Sequence, residues 1–285
     1  MFIDSRVRPP FGSYLNQAIY KKEHNRPWTS RFDVSYPERH PDLTMEMLFQ
    51  SMDDADVGIA MVAGRQSCGP TNNDDVTELA ERYPKRFRCF PDINPLLGEA
   101  ALKEIDTRVI EGPCTGVCME FGFNPIEPIY ANDRRAWPIY QKCQDNNLPV
   151  YLSFGGFIGP DMSYCDPMLI EDVAQHFPDL RIVLAHACYP FVQQACHLAM
   201  NEPNVYLAPD MYVFGVPGSR DYIDGGNTII KEKLLFGSAY PIFDIKQSVE
   251  YYLKCGFKEE ALEYIMYKNA AAFLGIEERV NSKEW

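Results

Sequence analysis

Short, continuously apolar runs recur along this chain with helix-length segments between them, and that alternation constrains the fold more than any other feature. The runs fall at residues 1–4, 57–63, 87–93, 116–120, 150–153, 181–185, 205–208 and 234–236. Stretches such as VGIAMVA, LPVYL, RIVLA and NVYLA lack the polar–apolar alternation of a half-exposed strand. They match strands buried on both faces, which belong to parallel sheets covered by helices. Helical segments are expected at 44–55, 73–83, 98–111, 134–146, 167–176, 189–201, 221–231 and 245–255. Stop signals such as Tyr83-Pro84 and Phe177-Pro178 end several of them, and a last helix over 259–273 closes at Gly275. Eight strands alternating with eight helices predict an α/β fold of the (β/α)8 TIM-barrel type.

The chain has 285 residues, a length such a barrel fills as a single domain spanning 1–285. No linker, internal repeat or low-complexity stretch divides it. A long segment after the first strand, 9–41, mixes aromatic, proline and charged residues without a period, and a glycine-rich loop covers 154–166. Both are candidates to cover the barrel mouth, the first as a lid or as a structural insertion.

Asp plus Glu outnumber Lys plus Arg by 40 to 27, a net charge of −13. That field disfavours nucleic acid and anionic membranes as partners. No apolar run nears the ~20 residues that span a bilayer, and the first residues lack the basic start and apolar core of a signal peptide. A cytoplasmic location is the default expectation, and the nine cysteines, without a CxxC pair, read as reduced and mostly buried thiols. Homo-oligomerisation is left open.

Catalytic groups of a barrel sit at the C-terminal ends of its strands. Reading those positions gives Asp4, Arg6 and Arg8, then Arg65, Asp92 and Asn94, Glu120, Ser153, His186, Asp210 and Tyr212, and Ser238 and Tyr240. Arg6 and Arg8 flank Val7, so an extended backbone points both to one face. Two adjacent guanidinium groups need an anion between them, and their forked donors match a carboxylate. They are expected to clamp an anionic substrate, or else to join an internal network with Glu120, Asp92 or Asp210. Arg65, Ser153 and Tyr212 are further substrate-binding candidates. His186, after RIVLA, is the expected acid, base or oxyanion donor, against the alternative of a hydrogen-bonded core histidine. Glu120, Asp210 and Tyr240 are the expected assisting groups, with Glu120 also a natural partner for an arginine of the Arg6–Arg8 clamp. His24, His40, His176 and His197 fall in predicted loops or helices, where surface or packing roles suffice.

The strand ends resemble those of the amidohydrolase superfamily, in its amidohydrolase-2 branch. FIDSRVRPP is similar to an opening Asp-x-His-x-His before prolines, LPVYLSFGG to a fifth-strand segment carrying histidine, and LAHACYPF to His-Gly-Gly-x-Pro. LLFGSAYPI is similar to Gly-Thr-Asp-x-Pro, and MYKNAAAFLGI to a closing Asn-Ala-x-x-Leu-Leu helix. The five segments span nearly the whole chain. The branch includes decarboxylases of small aromatic acids and a pyrone lactonase, so the resemblance implies a carboxylated ring, lactone or enol as substrate.

The family's metal ligands do not carry over. Arg6 and Arg8 stand at its His-x-His positions, Ser153 at the fifth-strand histidine and Ala239 at the eighth-strand aspartate; only His186 matches. Arginine offers no lone pair to a metal, and like charges ~4 Å apart cost about 1 kcal/mol even in water. No metal and no other cofactor is therefore expected. The leading expectation is a metal-independent hydrolase of a lactone- or ester-like bond, or a carbon–carbon lyase such as a decarboxylase. Two alternatives stand beside it: a non-catalytic anion-binding or regulatory pseudoenzyme, and a metalloenzyme with ligands rearranged to His186, Asp210 and Glu120.

Overall fold

The computed structural model describes residues 1–21, 42–65, 69–156 and 159–277. Parts of both predicted mouth loops, and His24 and His40, lie outside the described residues. Seven strands form two parallel ladders. One contains β1 (Phe2–Asp4), β2 (Val57–Ala63) and β3 (Phe87–Phe90); the other contains β4 (Val117–Met119), β5 (Val150–Ser153), β6 (Ile182–Ala185) and β7 (Val205–Ala208). Hydrogen bonds carry the sheet across the gap between ladders: Ile93 N donates to Cys118 O, and Cys118 N to Pro91 O, each at 2.8 Å.

The eighth predicted strand, 234–236, is an extended crossing rather than a ladder. Leu234 makes an isolated parallel bridge with Leu207, and Leu235 N donates to Leu207 O at 2.8 Å. One residue later Phe236 O accepts from Ser5 N at 2.9 Å, on the first strand. The segment turns from one neighbour to the other too quickly for a repeated pattern, yet it links β7 back to β1. Several other strands stop one to three residues short of the apolar runs that signalled them.

Helices α1 (Met45–Asp54), α2 (Asn73–Arg82), α3 (Glu99–Ile105), α4 (Trp137–Asp145), α5 (Pro167–His176), α6 (Val192–Asn201), α7 (Ser219–Gly226) and α8 (Ile245–Lys254) surround the strands. Side-chain oxygens of Thr44, Asn72, Asp166 and Asp244 cap α1, α2, α5 and α8 by accepting from backbone N–H groups. Several helices depart from the expected bounds: α3 gives way to a wider turn over Asp106–Ile110, and α4 starts at Trp137 after a tighter turn over Arg134–Ala136. α6 starts at Val192, after Pro190, and α7 ends at Gly225-Gly226, where two residues without side chains favour release of the helical conformation.

Strand side chains alternate between two apolar layers. Val57, Ala60 and Val62 pack outward with Leu152, Leu184 and Leu207 against the helices, whereas Ile3, Ile59, Met61, Phe90, Cys118, Tyr151, Val183 and Ala208 fill the barrel interior. The predicted last helix is α9 (Glu259–Glu263), a wider turn over Tyr264–Lys268, and α10 (Asn269–Leu274). Phe273 and Leu274 of α10 join the interior cluster, with Phe273 6.1 Å from Phe90, so the chain's last helix stoppers the barrel below its core. No described helix is long and apolar enough to cross a membrane. The eight described cysteines are all free thiols, seven of them buried.

Candidate active site

Above the interior apolar layer the strands contribute a ring of polar groups. The position two residues beyond an interior apolar residue faces the same way. Ala63 thus places Arg65, Phe90 places Asp92, Cys118 places Glu120 and Tyr151 places Ser153, while Asp210 joins them through the turn that begins at Pro209. All five are buried. His186 follows interior Ala185 directly, and reaches the ring because its backbone is left-handed, with φ 67°. Ala187, Cys188, Asp210 and Ala239 share positive φ, so non-glycine residues in this costly region gather at the ends of the last three strands. Each such residue costs about 1 kcal/mol or more.

Arg6 lies at the centre. Nη1 donates to the Tyr151 hydroxyl at 3.0 Å, Nη2 lies 2.9 Å from His186 Nε2, and Nε pairs with Asp210 Oδ2 at 3.5 Å. A guanidinium can only donate, so His186 Nε2 must be the acceptor and must carry no proton. The ring proton then sits on Nδ1, which donates to Asp210, 2.8 Å from Oδ2 and 3.1 Å from Oδ1. Burial drives the His186 pKa down to about 4, and neighbouring Arg6 adds to the fall while Asp210 opposes it. The imidazole is neutral at pH 7. Burial works against the charge of Arg6 too, but Tyr151 and Asp210 outweigh it and its pKa stays above the usual range.

The other predicted residues are distributed around this centre. Arg65 pairs with Glu120 at 3.1 Å, a second buried ion pair, whereas an arginine of the Arg6–Arg8 clamp was the expected partner of Glu120. Arg8 is buried, and its backbone is held by Tyr240 O and the Tyr20 hydroxyl. Tyr212 covers His186 edge-on at 5.5 Å and stacks on Tyr189 at 4.2 Å. Ser153 is 1% exposed, and among the described residues its hydroxyl has no hydrogen-bond partner. Tyr240 bridges Val7 and is buried, its backbone N–H donates to Ser238 Oγ at 3.0 Å, and among the described residues its hydroxyl has no hydrogen-bond partner. His176 and His197 are surface groups, on Asp172 and Asn201 respectively.

One functional residue, Tyr151, escaped the sequence reading, which places Asp4 at its strand end without giving it a role. Tyr151 sits inside an apolar run and reads there as core. Asp4 accepts from the backbone N–H groups of Arg6 and Ser238, at 2.9 and 3.0 Å, and so ties the first strand end to the eighth. Burial nevertheless raises its carboxyl to about 6.

A profile of the amidohydrolase family matches residues 24–276. The chain belongs to that family. An uncharacterized TIM-barrel protein of Bordetella bronchiseptica, Bb4693, is 33% identical, with a TM-score of 0.86 over 98% of this chain and 99% of that one. The 2,6-dihydroxybenzoate decarboxylase of Rhizobium superposes with a TM-score of 0.70 at 15% identity, over 97% of this chain and 99% of its own. A dihydroxybenzoic acid decarboxylase of Polaromonas, solved with bound manganese and 2-nitroresorcinol, gives 0.65 at 15% identity, over 97% and 98%. These two likenesses bear on the amidohydrolase fold alone. No match was found among curated proteins.

A divalent ion like that of the Polaromonas enzyme does not fit the residues present here. Arg6 and Arg8 have no lone pair to give, and Arg6 already occupies the Nε2 lone pair of His186. Among the described residues, no group of three or more His, Cys, Asp or Glu side chains is placed to hold a metal. In the rearranged set of His186, Asp210 and Glu120, the histidine has its Nε2 taken up by Arg6, and the two carboxylates are paired with Arg6 and Arg65.

Proposed function

We propose that this amidohydrolase is a carboxy-lyase or hydrolase of a small carboxylated substrate, with guanidinium charge doing the electrostatic work of a divalent metal. The observation that carries the reading is the fixed position of Arg6. Tyr151, His186 and Asp210 hold it on three sides within a buried ring. A cation already held in place stabilises negative charge as it builds on an enolate, phenolate or oxyanion, without reorganising at the moment of reaction. Arg8 and Arg65 bring further positive charge for a substrate carboxylate. The Ser153 hydroxyl, facing the interior, is available to a substrate oxygen.

His186 is the proton-transfer group. Being neutral, it acts first as a base through Nε2, and Asp210 stabilises the imidazolium that forms. Arg6 must yield one hydrogen bond for Nε2 to take the proton. Tyr240 has no step in this scheme. Lyase chemistry is supported by the two decarboxylases among the structural neighbours, and the lactone or ester bond by the family at large.

The occupied Nε2 also favours a second reading, a non-catalytic binder of small carboxylates. Turnover separates the two. Chelator-treated protein should release carbon dioxide from, or hydrolyse, members of a panel of hydroxylated aromatic and enolic carboxylates and lactones. His186→Asn should abolish turnover while retaining ligand affinity. Binding without turnover across the panel would favour the pseudoenzyme, and activity appearing only with added manganese or zinc would overturn the metal-independent scheme.

A further inference from the structure

Tyr151 is wholly buried in the barrel interior, 5.5 Å from the ring of Phe90 and one interior position below Ser153. Phenylalanine would fill that place without a polar atom to satisfy, and burying a hydroxyl costs free energy unless it is hydrogen-bonded. The Tyr151 hydroxyl is bonded twice, and both partners belong to the same stretch of chain. It accepts from Arg6 Nη1 at 3.0 Å and donates to the Ser5 carbonyl at 3.2 Å. One phenol oxygen thereby fixes the tip of the Arg6 side chain relative to the peptide from which that side chain springs.

We infer that Tyr151 is a positioning residue, whose hydroxyl aims Arg6 so that Nη2 meets Nε2 of His186 and holds the ring in its Nδ1–H form. This deepens the proposed role of Arg6 and His186 and rests on that reading for its catalytic consequence, but not for its geometry. Nη1 carries the Tyr151 bond and Nη2 the His186 bond, so the two are the fork of one rigid plane. Losing the first frees the plane to swing about its remaining attachment to Asp210. The groups facing the His186 ring are Asp210, Arg6, Arg65 and Tyr212, and Arg6 among them is bonded to Tyr151.

The test reads the histidine ring directly and needs no substrate. Full-length protein labelled with 15N-histidine is followed by long-range proton–nitrogen NMR across an acid titration. Wild type should show His186 protonated at Nδ1, with Nε2 an acceptor. In Tyr151→Phe the Nε2 signal should move toward that of a solvated ring, and the titration midpoint should rise by about one pH unit as the arginine charge moves off. In an Arg6→Met background, Tyr151→Phe should change neither. An unaltered His186 signal in Tyr151→Phe, or an equal change in both backgrounds, overturns the inference. If Tyr151→Phe does not fold, Arg6→Lys decides instead. Its ammonium lacks the fork that joins the phenol to Nε2, so the same shift is expected, and an unmoved ring contradicts the inference. Should the NMR result hold while no carboxylate is turned over, the positioning role stands and the proposed enzyme activity fails alone.

Discussion

A guanidinium and an imidazole nitrogen 2.9 Å apart coexist only with a neutral ring, and this sets how the site answers acid. In the unfolded chain His186 binds a proton near the ordinary histidine value of 6.5, but in the fold only near 4. As pH falls through that interval protons favour the unfolded chain, and stability is lost. Asp4 acts oppositely. Its carboxyl ionises near 3.8 unfolded and near 6 folded, so its contribution is full below 3.8 and is lost as pH rises through 6. Each effect is on the order of 3 kcal/mol, so in the wild type they nearly cancel. Removing either should expose the other. Between pH 7 and 4.5 the Tm of His186→Asn relative to wild type should climb on acidification, and that of Asp4→Asn should fall. Parallel Tm–pH curves for all three proteins would contradict these pKa assignments.

The elements were legible in sequence wherever periodicity lasted long enough to read. Arg65, Glu120, Ser153 and Asp210 could be placed because each lies at or just past the end of an apolar run. The same rule fails where strand geometry ends. The 234–240 segment leaves one neighbour for another within a few residues, Leu234 bridging Leu207 and Tyr240 bridging Val7. Tyr151 was invisible for the opposite reason: its apolar ring obeys the core pattern, and only the arginine beside it gives the hydroxyl a purpose. The last helix was read as closing the chain, but sequence could not show that it enters the barrel. Phe273 is wholly buried there, against Phe90 and Tyr206. Phe273→Ala should cost about 3–5 kcal/mol in denaturant unfolding, and a loss below about 1 kcal/mol would show that α10 is no stopper. Removing the α8 cap with Asp244→Ala should cost about 1 kcal/mol, measured the same way.

For the whole molecule, a site whose three buried arginines stand among the carboxylates Asp92, Glu120 and Asp210 sits in a chain of net charge −13. Beyond a Debye length of about 10 Å at 0.1 M salt, an approaching carboxylate meets the field of that net charge, not that of Arg6. Raising salt from about 10 to 150 mM should therefore speed association of an anionic ligand, where an exposed cationic patch would show slowing. Stopped-flow binding of benzoate measures this, and a rate falling with salt would place positive potential outside the mouth. The barrel itself was readable from strand count and residue type, and the family profile agrees with it. The site's charge network was not, because which carboxylate meets which arginine depends on how strand ends lean across the interior: Asp210 meets Arg6, while Glu120 meets Arg65.

The central claim is that fixed arginine charge, rather than a metal, makes this mouth an anion site. Calorimetric titration of chelator-treated protein with a small aromatic carboxylate tests it most directly, in wild type and in Arg6→Met. The account predicts that binding survives metal removal and weakens at least about tenfold in the variant, a loss of about 1.4 kcal/mol. Binding that disappears with chelator and returns with manganese, or that is indifferent to Arg6, would contradict it.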